Sequence, residues 1–422
     1  MTRVLQFFLS ALPKPLGYQV QLDPLSNLFS DTELCVKCGL CLPHCPTYGK
    51  TLDENESPRG RLSLIQAWAA GQLEASPKLL GHVDNCLLCR SCESACPANV
   101  PYGRLVDNFR AATADTLVKP LSARVKTAAV GRMLQSPKLQ RWSGPVRGVL
   151  TKTGLMQATG FADLAAGLPA PFEHVRWQGF HPAPGEERAK VALFLGCTAE
   201  LADAETVTAA IRLLTRLGVG VTVPPGQGCC GGMALHNGDD EVFAKMQRNN
   251  QGVFNASAVD AILTLASGCG AVLKEYEAQT FTGKIKDISC FLVGHAWPEN
   301  VSLEPLQAKI LVHSPCSLKN VLKSDRHPQA LLRRIPNLQV ELLTNAPNCC
   351  GAAGTYFLDH PDMAHALRED ILQNIAASLP DFVATSNVGC AMHLRAGLKQ
   401  RGMGHVQVLH PLVLLERQLR TA

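Results

Sequence analysis

Cys35-Val-Lys-Cys38-Gly-Leu-Cys41-Leu-Pro-His-Cys45-Pro46 returns downstream as Cys86-Leu-Leu-Cys89-Arg-Ser-Cys92-Glu-Ser-Ala-Cys96-Pro97. A 4Fe-4S cubane needs four soft thiolates at the corners of a tetrahedron. Three closely spaced cysteines wrap one face, and the fourth, just before proline, reaches the neighbouring cluster. The spacing therefore assigns Cys35, Cys38, Cys41 and Cys96 to cluster 1, and Cys86, Cys89, Cys92 and Cys45 to cluster 2. Zinc sites use two Cys-x-x-Cys hooks and have no need of the Cys-x-x-x-Cys-Pro ending. Residues 1–110 thus read as a mainly α-helical module holding two clusters near enough to exchange electrons. Between the runs, Ser57-Pro58-Arg59-Gly60-Arg61 precedes an apolar-periodic stretch. Serine followed by proline predicts an N-cap and the first position of a helix.

The C-terminal half repeats itself. Cys197, the doublet Cys229-Cys230-Gly231 and Cys269 recur as Cys316, Cys349-Cys350-Gly351 and Cys390, at offsets of 119, 120 and 121. Strand-like Val191–Leu195 and Ile310–Val312 precede the first cysteine of each set, and Ala261–Leu265 and Phe382–Thr385 precede the last. Helical patterns follow at 203–217, 239–256, 317–334 and 361–378. Strands alternating with helices predict a tandem pair of α/β domains, 187–300 and 301–422. Loops after the strands of such domains gather at one edge, and all eight repeated cysteines fall there or near the following helix starts. They are expected to be metal ligands: a vicinal pair cannot easily close on itself, and helix N-termini favour an anionic cluster. Cys290 has no counterpart in the repeat and reads as a buried core thiol. His236, His313 and His393, close to these loops, read as hydrogen-bonded local residues rather than ligands.

Seventeen cysteines in 422 residues, most in runs or doublets, fit metal binding in a reducing compartment better than a disulfide framework. The localisation expected is therefore cytoplasmic. No apolar run approaches the 18 residues of a membrane span. Residues 4–12 read as an apolar contact with a partner or a membrane surface. From Arg104 to Lys152 there are ten Lys/Arg against Asp107 and Asp115. This zone, within a helical connector at 111–186 ending in a Pro/Gly-rich linker, reads either as a solvated face or as a surface that docks an acidic partner or anionic membrane leaflet. It has too few aromatics to stack on bases, so nucleic acid is not expected. Gly226-Gln227-Gly228 signals a turn, and no catalytic constellation or dinucleotide fingerprint is present.

The combination resembles the family that joins a two-cluster ferredoxin module to paired cysteine-rich CCG domains. That family includes heterodisulfide reductase subunits, lactate-utilisation proteins, the anaerobic glycerol-3-phosphate dehydrogenase small subunit and, most similar, glycolate oxidase iron–sulfur subunits. The residues that carry the resemblance are Ser57–Arg61, Cys86–Glu93, Ser267–Gly270 with Lys274-Glu275-Tyr276, Cys349–Tyr356 and Asn387–Cys390. It implies an iron–sulfur subunit of a flavin-dependent 2-hydroxy-acid dehydrogenase. That subunit takes electrons from an FAD subunit towards quinone, is peripheral on the cytoplasmic face of the inner membrane and has no catalytic residue of its own. Heterodisulfide reductases use five cysteines per CCG domain for a noncubane cluster and offer the alternative in which a CCG cluster is catalytic. Here the first cysteine of each Cys-x-x-Cys ending is replaced, by Ala266 and Asn387. Four thiols per repeat remain, enough for one or two further 4Fe-4S clusters.

Overall fold

The computed structural model describes residues 30–116, 129–134, 162–169, 177–255, 258–276, 279–343 and 349–420. The apolar stretch at 4–12 and seven of the ten basic residues between Arg104 and Lys152 lie outside them. The N-terminal module packs three helices, α1 (Pro58–Ala69), α2 (Pro77–Asp84) and α3 (Tyr102–Ala112), around Leu62, Ile65, Val83, Leu105 and Phe109. Ser57 caps α1 as its sequence predicts, its hydroxyl accepting from the Gly60 N–H at 3.0 Å with Pro58 in the first turn. The loop from Asp53 folds back so tightly that a Cβ on Gly60 would overlap the Glu54 carbonyl.

The repeat forms two separate sheets. The first has strand order β1-β3-β2-β4-β5, with β1 Gly179–His181, β2 Ala189–Phe194, β3 Val219–Val223, β4 Ala261–Thr264 and β5 Ile285–Asp287. The second has order β7-β6-β8-β9, with β6 Ala308–His313, β7 Leu338–Leu342, β8 Phe382–Thr385 and β9 Gln407–Leu409. Strands β2–β5 and β6–β9 are parallel throughout, so the two copies share one topology. Helices α4 (Ala162–Gly167), α5 (Ala204–Arg216), α6 (Asp240–Asn255), α7 (Ser267–Lys274), α8 (Pro361–Ser378), α9 (Val388–Gln400) and α10 (Pro411–Arg417) complete the two halves. The central strands are sealed on both faces, as parallel strands are: Val191, Ala192, Leu193 and Val383 are fully buried. A single apolar cluster runs through both copies, because Leu412–Leu415 of α10 pack with Val207, Leu213 and Leu214 of α5.

Three expectations change. The stretch read as linker from 179 contains β1, which pairs antiparallel with β3 and extends the first sheet. The helical pattern at 317–334 is broken into a π-turn at Ser317–Val321 and a short helix at His327–Leu332, with Lys323 between them in the left-handed region and Pro328 opening the second piece. Arg110, counted in the basic zone read as a solvated face or a docking surface, instead ties the interior together. Its guanidinium donates to the carbonyls of Val83, Asp84, Cys86 and His236 at 2.8–3.1 Å. Among the described residues no helix is long and apolar enough to cross a membrane.

Candidate metal centres

In the N-terminal module the two cysteine runs share one backbone path. The second and fourth residues after the first cysteine, Lys37 and Gly39 in one run and Leu88 and Arg90 in the other, all have φ between 51° and 85°. Three of these four carry side chains, so the path costs strain that an ordinary apolar core does not require. It turns each loop around a common volume. Cys41 has Cys35 and Cys38 as charged neighbours, and burial raises its thiol above the ordinary value. Burial also pushes the Cys92 thiol well up, and Cys89, Cys86, Cys45 and Cys41 add to it as neighbouring charges. Cys45 and Cys41 of the first run thus both lie within electrostatic reach of the second. Soft thiols held in strained loops fit an iron–sulfur group, which lowers the cost of their deprotonation. Cys38 is exposed and Cys35, Cys41 and Cys96 half-buried, whereas Cys45, Cys86, Cys89 and Cys92 are buried.

In both copies of the repeat, strand order brings the loops after β2, β3 and β4, or β6, β7 and β8, to one edge at the point where chain direction across the sheet reverses. Cys197, Cys229, Cys230 and Cys269 meet at the first edge. Hydrogen bonds from Cys197 and Cys230 hold the Cys229 thiol low, and the Gly231 N–H points at its sulfur from 3.4 Å. At the second edge Cys350 and Cys390 have sulfurs 2.9 Å apart and Cys316 and Cys349 3.9 Å apart. Gly231 (φ 83°) and Gly351 (φ 87°) follow each doublet in the left-handed region, and an added Cβ would press on Phe243 at 2.7 Å or on the Ala364 carbonyl at 2.6 Å. That is why glycine follows each pair. All eight duplicated thiols, with Cys86, line one cavity of about 310 Å³. Among the described residues no three His, Cys, Asp or Glu side chains converge as a single-ion site.

Other residues set this geometry and are not evident from the sequence. The Gln227 amide accepts from the Leu195 N–H at 2.7 Å and donates to the Leu193 and Pro224 carbonyls, locking the β3 loop to the end of β2. Fully buried Asn250 on α6 accepts from the Gly228 N–H at 3.0 Å and donates to the Cys229 carbonyl at 2.8 Å. The Tyr276 hydroxyl donates to the Cys230 carbonyl at 2.8 Å. Gln247, Asn250 and Phe254, buried at helical spacing on α6, were the available signal. Asn250→Ala leaves the half-buried Gly228 N–H and Cys229 carbonyl without their side-chain partner. The expected cost is about 2–4 kcal/mol, taking each orphaned group as about 1–2, read as a lower denaturation midpoint.

Asn387 serves as the N-cap of α9, its side chain accepting from the Gly389 and Cys390 N–H groups at 3.0 and 3.4 Å and donating to the Ser267 hydroxyl at 3.3 Å. The Ser267 N–H donates to the Ser386 carbonyl at 2.8 Å, so the two third loops meet at the positions where a fifth cysteine is replaced. His313 pairs with the Thr385 hydroxyl at 3.0 Å and His393 with the Ala364 carbonyl at 3.2 Å; burial lowers both to about 4. His236 pairs with Asp107 at 3.0 Å, joining the first repeat to α3. Cys290 is only half-buried rather than in the core, because Ile288 and Leu292 take the inward positions of its short helix.

The second repeat abuts the N-terminal module at its thiols. Cys349 packs with Leu87, Cys89 and Tyr356, and the Asn320 amide donates to the Cys89 carbonyl at 2.7 Å. The Tyr356 hydroxyl donates to Asn85 Oδ1 at 2.5 Å, and His360 Nε2 lies 3.0 Å from Asp84. The first repeat is joined by Arg90, which pairs with both Glu93 and Glu275.

The model of the 4Fe-4S dicluster domain matches residues 31–100, and the cysteine-rich domain CCG matches twice, at 191–274 and 310–395. The chain is similar to the probable glycolate oxidase iron–sulfur subunit of Bacillus subtilis (strain 168), at 30% identity over 90% of this chain and 92% of that protein. It is similar to the glycolate oxidase iron–sulfur subunit of Escherichia coli (strain K12), at 31% identity over 91% and 93%. A fumarate reductase (CoM/CoB) subunit of Methanothermobacter marburgensis is 25% identical over 90% of this chain and 71% of its own length. With two dicluster cysteine runs, a duplicated cysteine-rich domain and this similarity along nearly its whole length, the chain belongs to the glycolate oxidase iron–sulfur subunit family, components of an oxidoreductase complex.

Proposed function

We propose that this chain is the electron-transfer subunit of a flavin-dependent 2-hydroxy-acid dehydrogenase. It takes electrons from an FAD subunit that oxidises an acid such as glycolate or D-lactate and passes them towards quinone. It works at the cytoplasmic face of the inner membrane without catalytic residues of its own. The carrying observation is the order of the thiols. Exposed Cys38 marks an outer set, the buried set around Cys89 lies behind it, and Cys89 packs on Cys349, whose cavity the other repeat shares. Cys35, Cys38, Cys41 and Cys96 hold cluster 1 in this reading, and Cys45, Cys86, Cys89 and Cys92 hold cluster 2. Cys197, Cys229, Cys230 and Cys269, and Cys316, Cys349, Cys350 and Cys390, supply one or two further sites. The working divisions are 1–110, 111–186, 187–300 and 301–422.

When bound, the clusters supply one-electron transfer. The chain's own residues space them and bury Cys45, Cys86, Cys89, Cys92, Cys230, Cys349, Cys350 and Cys390. In an anaerobic assay, glycolate or D-lactate is expected to bleach the chain's visible absorbance only after the flavin subunit is added. Oxidation of either acid by the flavin-free chain defeats the proposal.

A further inference from the structure

Arg61, the last residue of Ser57–Arg61, is 1% exposed although it carries a full charge. Its guanidinium lies among the ligands proposed for cluster 2: Nη1 is 3.9 Å from Cys45 Sγ and 3.1 Å from the Thr47 hydroxyl, itself 3.3 Å from that sulfur. Nε donates to the His82 carbonyl at 2.6 Å, and Nη2 pairs with Glu56. The Glu56 carboxylate is divided among three partners, since it also meets His82 Nδ1 at 2.6 Å and accepts from Asn85 Nδ2 at 2.7 Å. Such a cation costs several kcal/mol to desolvate, and an apolar side chain of this length fills the same space without that cost. A carboxylate shared three ways offsets only part of the charge, and the rest faces Cys45.

Among the described residues cluster 1 has no buried cation of this kind. Lys37, beside it in sequence, extends to Ser63 and Gln66 at an exposed site, and Arg59, whose Nη1 donates to the Lys37 carbonyl at 3.2 Å, is paired with Glu54 where solvent screens both. Burial alone lowers the reduction potential of an anionic cluster, because reduction adds charge to a low-dielectric site. A nearby fixed cation and hydrogen bonds to sulfur raise it.

We propose that Arg61 is the tuning residue of cluster 2: its buried guanidinium offsets the burial of that cluster and raises its reduction potential, so that electrons arriving at the exposed cluster move inward. The proposal rests on Cys45, Cys86, Cys89 and Cys92 forming one centre, and it gives the Ser-Pro-Arg-Gly-Arg motif an electrostatic task in addition to its helix cap.

The test is a potentiometric titration of the full chain, purified anaerobically and followed by electron paramagnetic resonance. Arg61→Gln is expected to shift one cubane midpoint downward by at least the equivalent of tenfold in its reduction equilibrium, 59 mV for one electron, leaving the other in place. Arg61→Lys, which keeps the charge, should retain most of the original value. Glu56→Gln, which removes the counter-charge, should move the same midpoint upward, and it decides the matter if Arg61→Gln does not retain its cluster. Unmoved midpoints in Arg61→Gln with iron intact, or no upward shift in Glu56→Gln, overturn the proposal. A wild-type chain with only one ferredoxin-type signal would overturn the ligand assignment instead, and the proposal with it.

Discussion

Cys45→Ser, purified without oxygen, is expected to lose about four of at least eight iron atoms per chain, together with one of the two ferredoxin-type paramagnetic signals. The loss should fall on the centre shared with Cys86, Cys89 and Cys92, since Cys45 is buried as they are and neighbours Cys92. Cys38→Ser should remove the other signal. Electron delivery from the flavin subunit to an added acceptor should fall at least tenfold in both, because a relay lacking one station must tunnel across the gap. Iron analysis and single-turnover reduction check this. A Cys45→Ser chain that keeps all its iron and both signals would show that the runs do not exchange ligands, and wild-type iron of four or fewer would reject two clusters altogether.

The second large effect concerns the repeats. Cys230→Ser and Cys350→Ser, made one at a time, are expected to remove iron and a paramagnetic signal in at least one case. Each cysteine is buried at the sheet edge with three companion thiols, and each is followed by a left-handed glycine that presents its loop to the cavity. Of the two, Cys350→Ser should slow electron passage more, because Cys349 beside it shares a buried cluster with Cys89. Unchanged iron and spectra in both variants would leave a two-cluster relay on an inert platform.

The metal-binding framework was legible in the sequence because its signals are local. Cysteine spacing fixes a loop, serine before proline fixes the start of α1, and a repeat at nearly constant offset fixes two copies of one topology. The residues that escaped notice act across long separations. Asn250 reaches the Cys229 loop from the middle of α6, Tyr356 reaches Asn85, and Glu56 gathers Arg61, His82 and Asn85 into one buried group. A polar side chain on an otherwise apolar helix face was the trace that Asn250 left. Nothing comparable marks Glu56, which sits in an acidic turn that looks like ordinary surface. Strand β1 was missed for a different reason: three residues beside Pro/Gly-rich sequence carry no periodicity, and only pairing with β3 makes them a strand.

The contact between Asn85 and Tyr356 also orders events in time. The two residues are separated by 271 positions, so on a ribosome adding about 5–20 residues per second the first waits roughly 14–54 s for the second. Over that interval the face around Cys86 and Cys89 is covered stepwise, as His236, Glu275, Asn320 and finally Tyr356 are added. Delivery of iron and sulfide to the inner set is easiest then, before the last repeat emerges and closes over it. A gene order that places these cysteines first and their cover last gives the nascent chain a loading period that a reversed order would deny it.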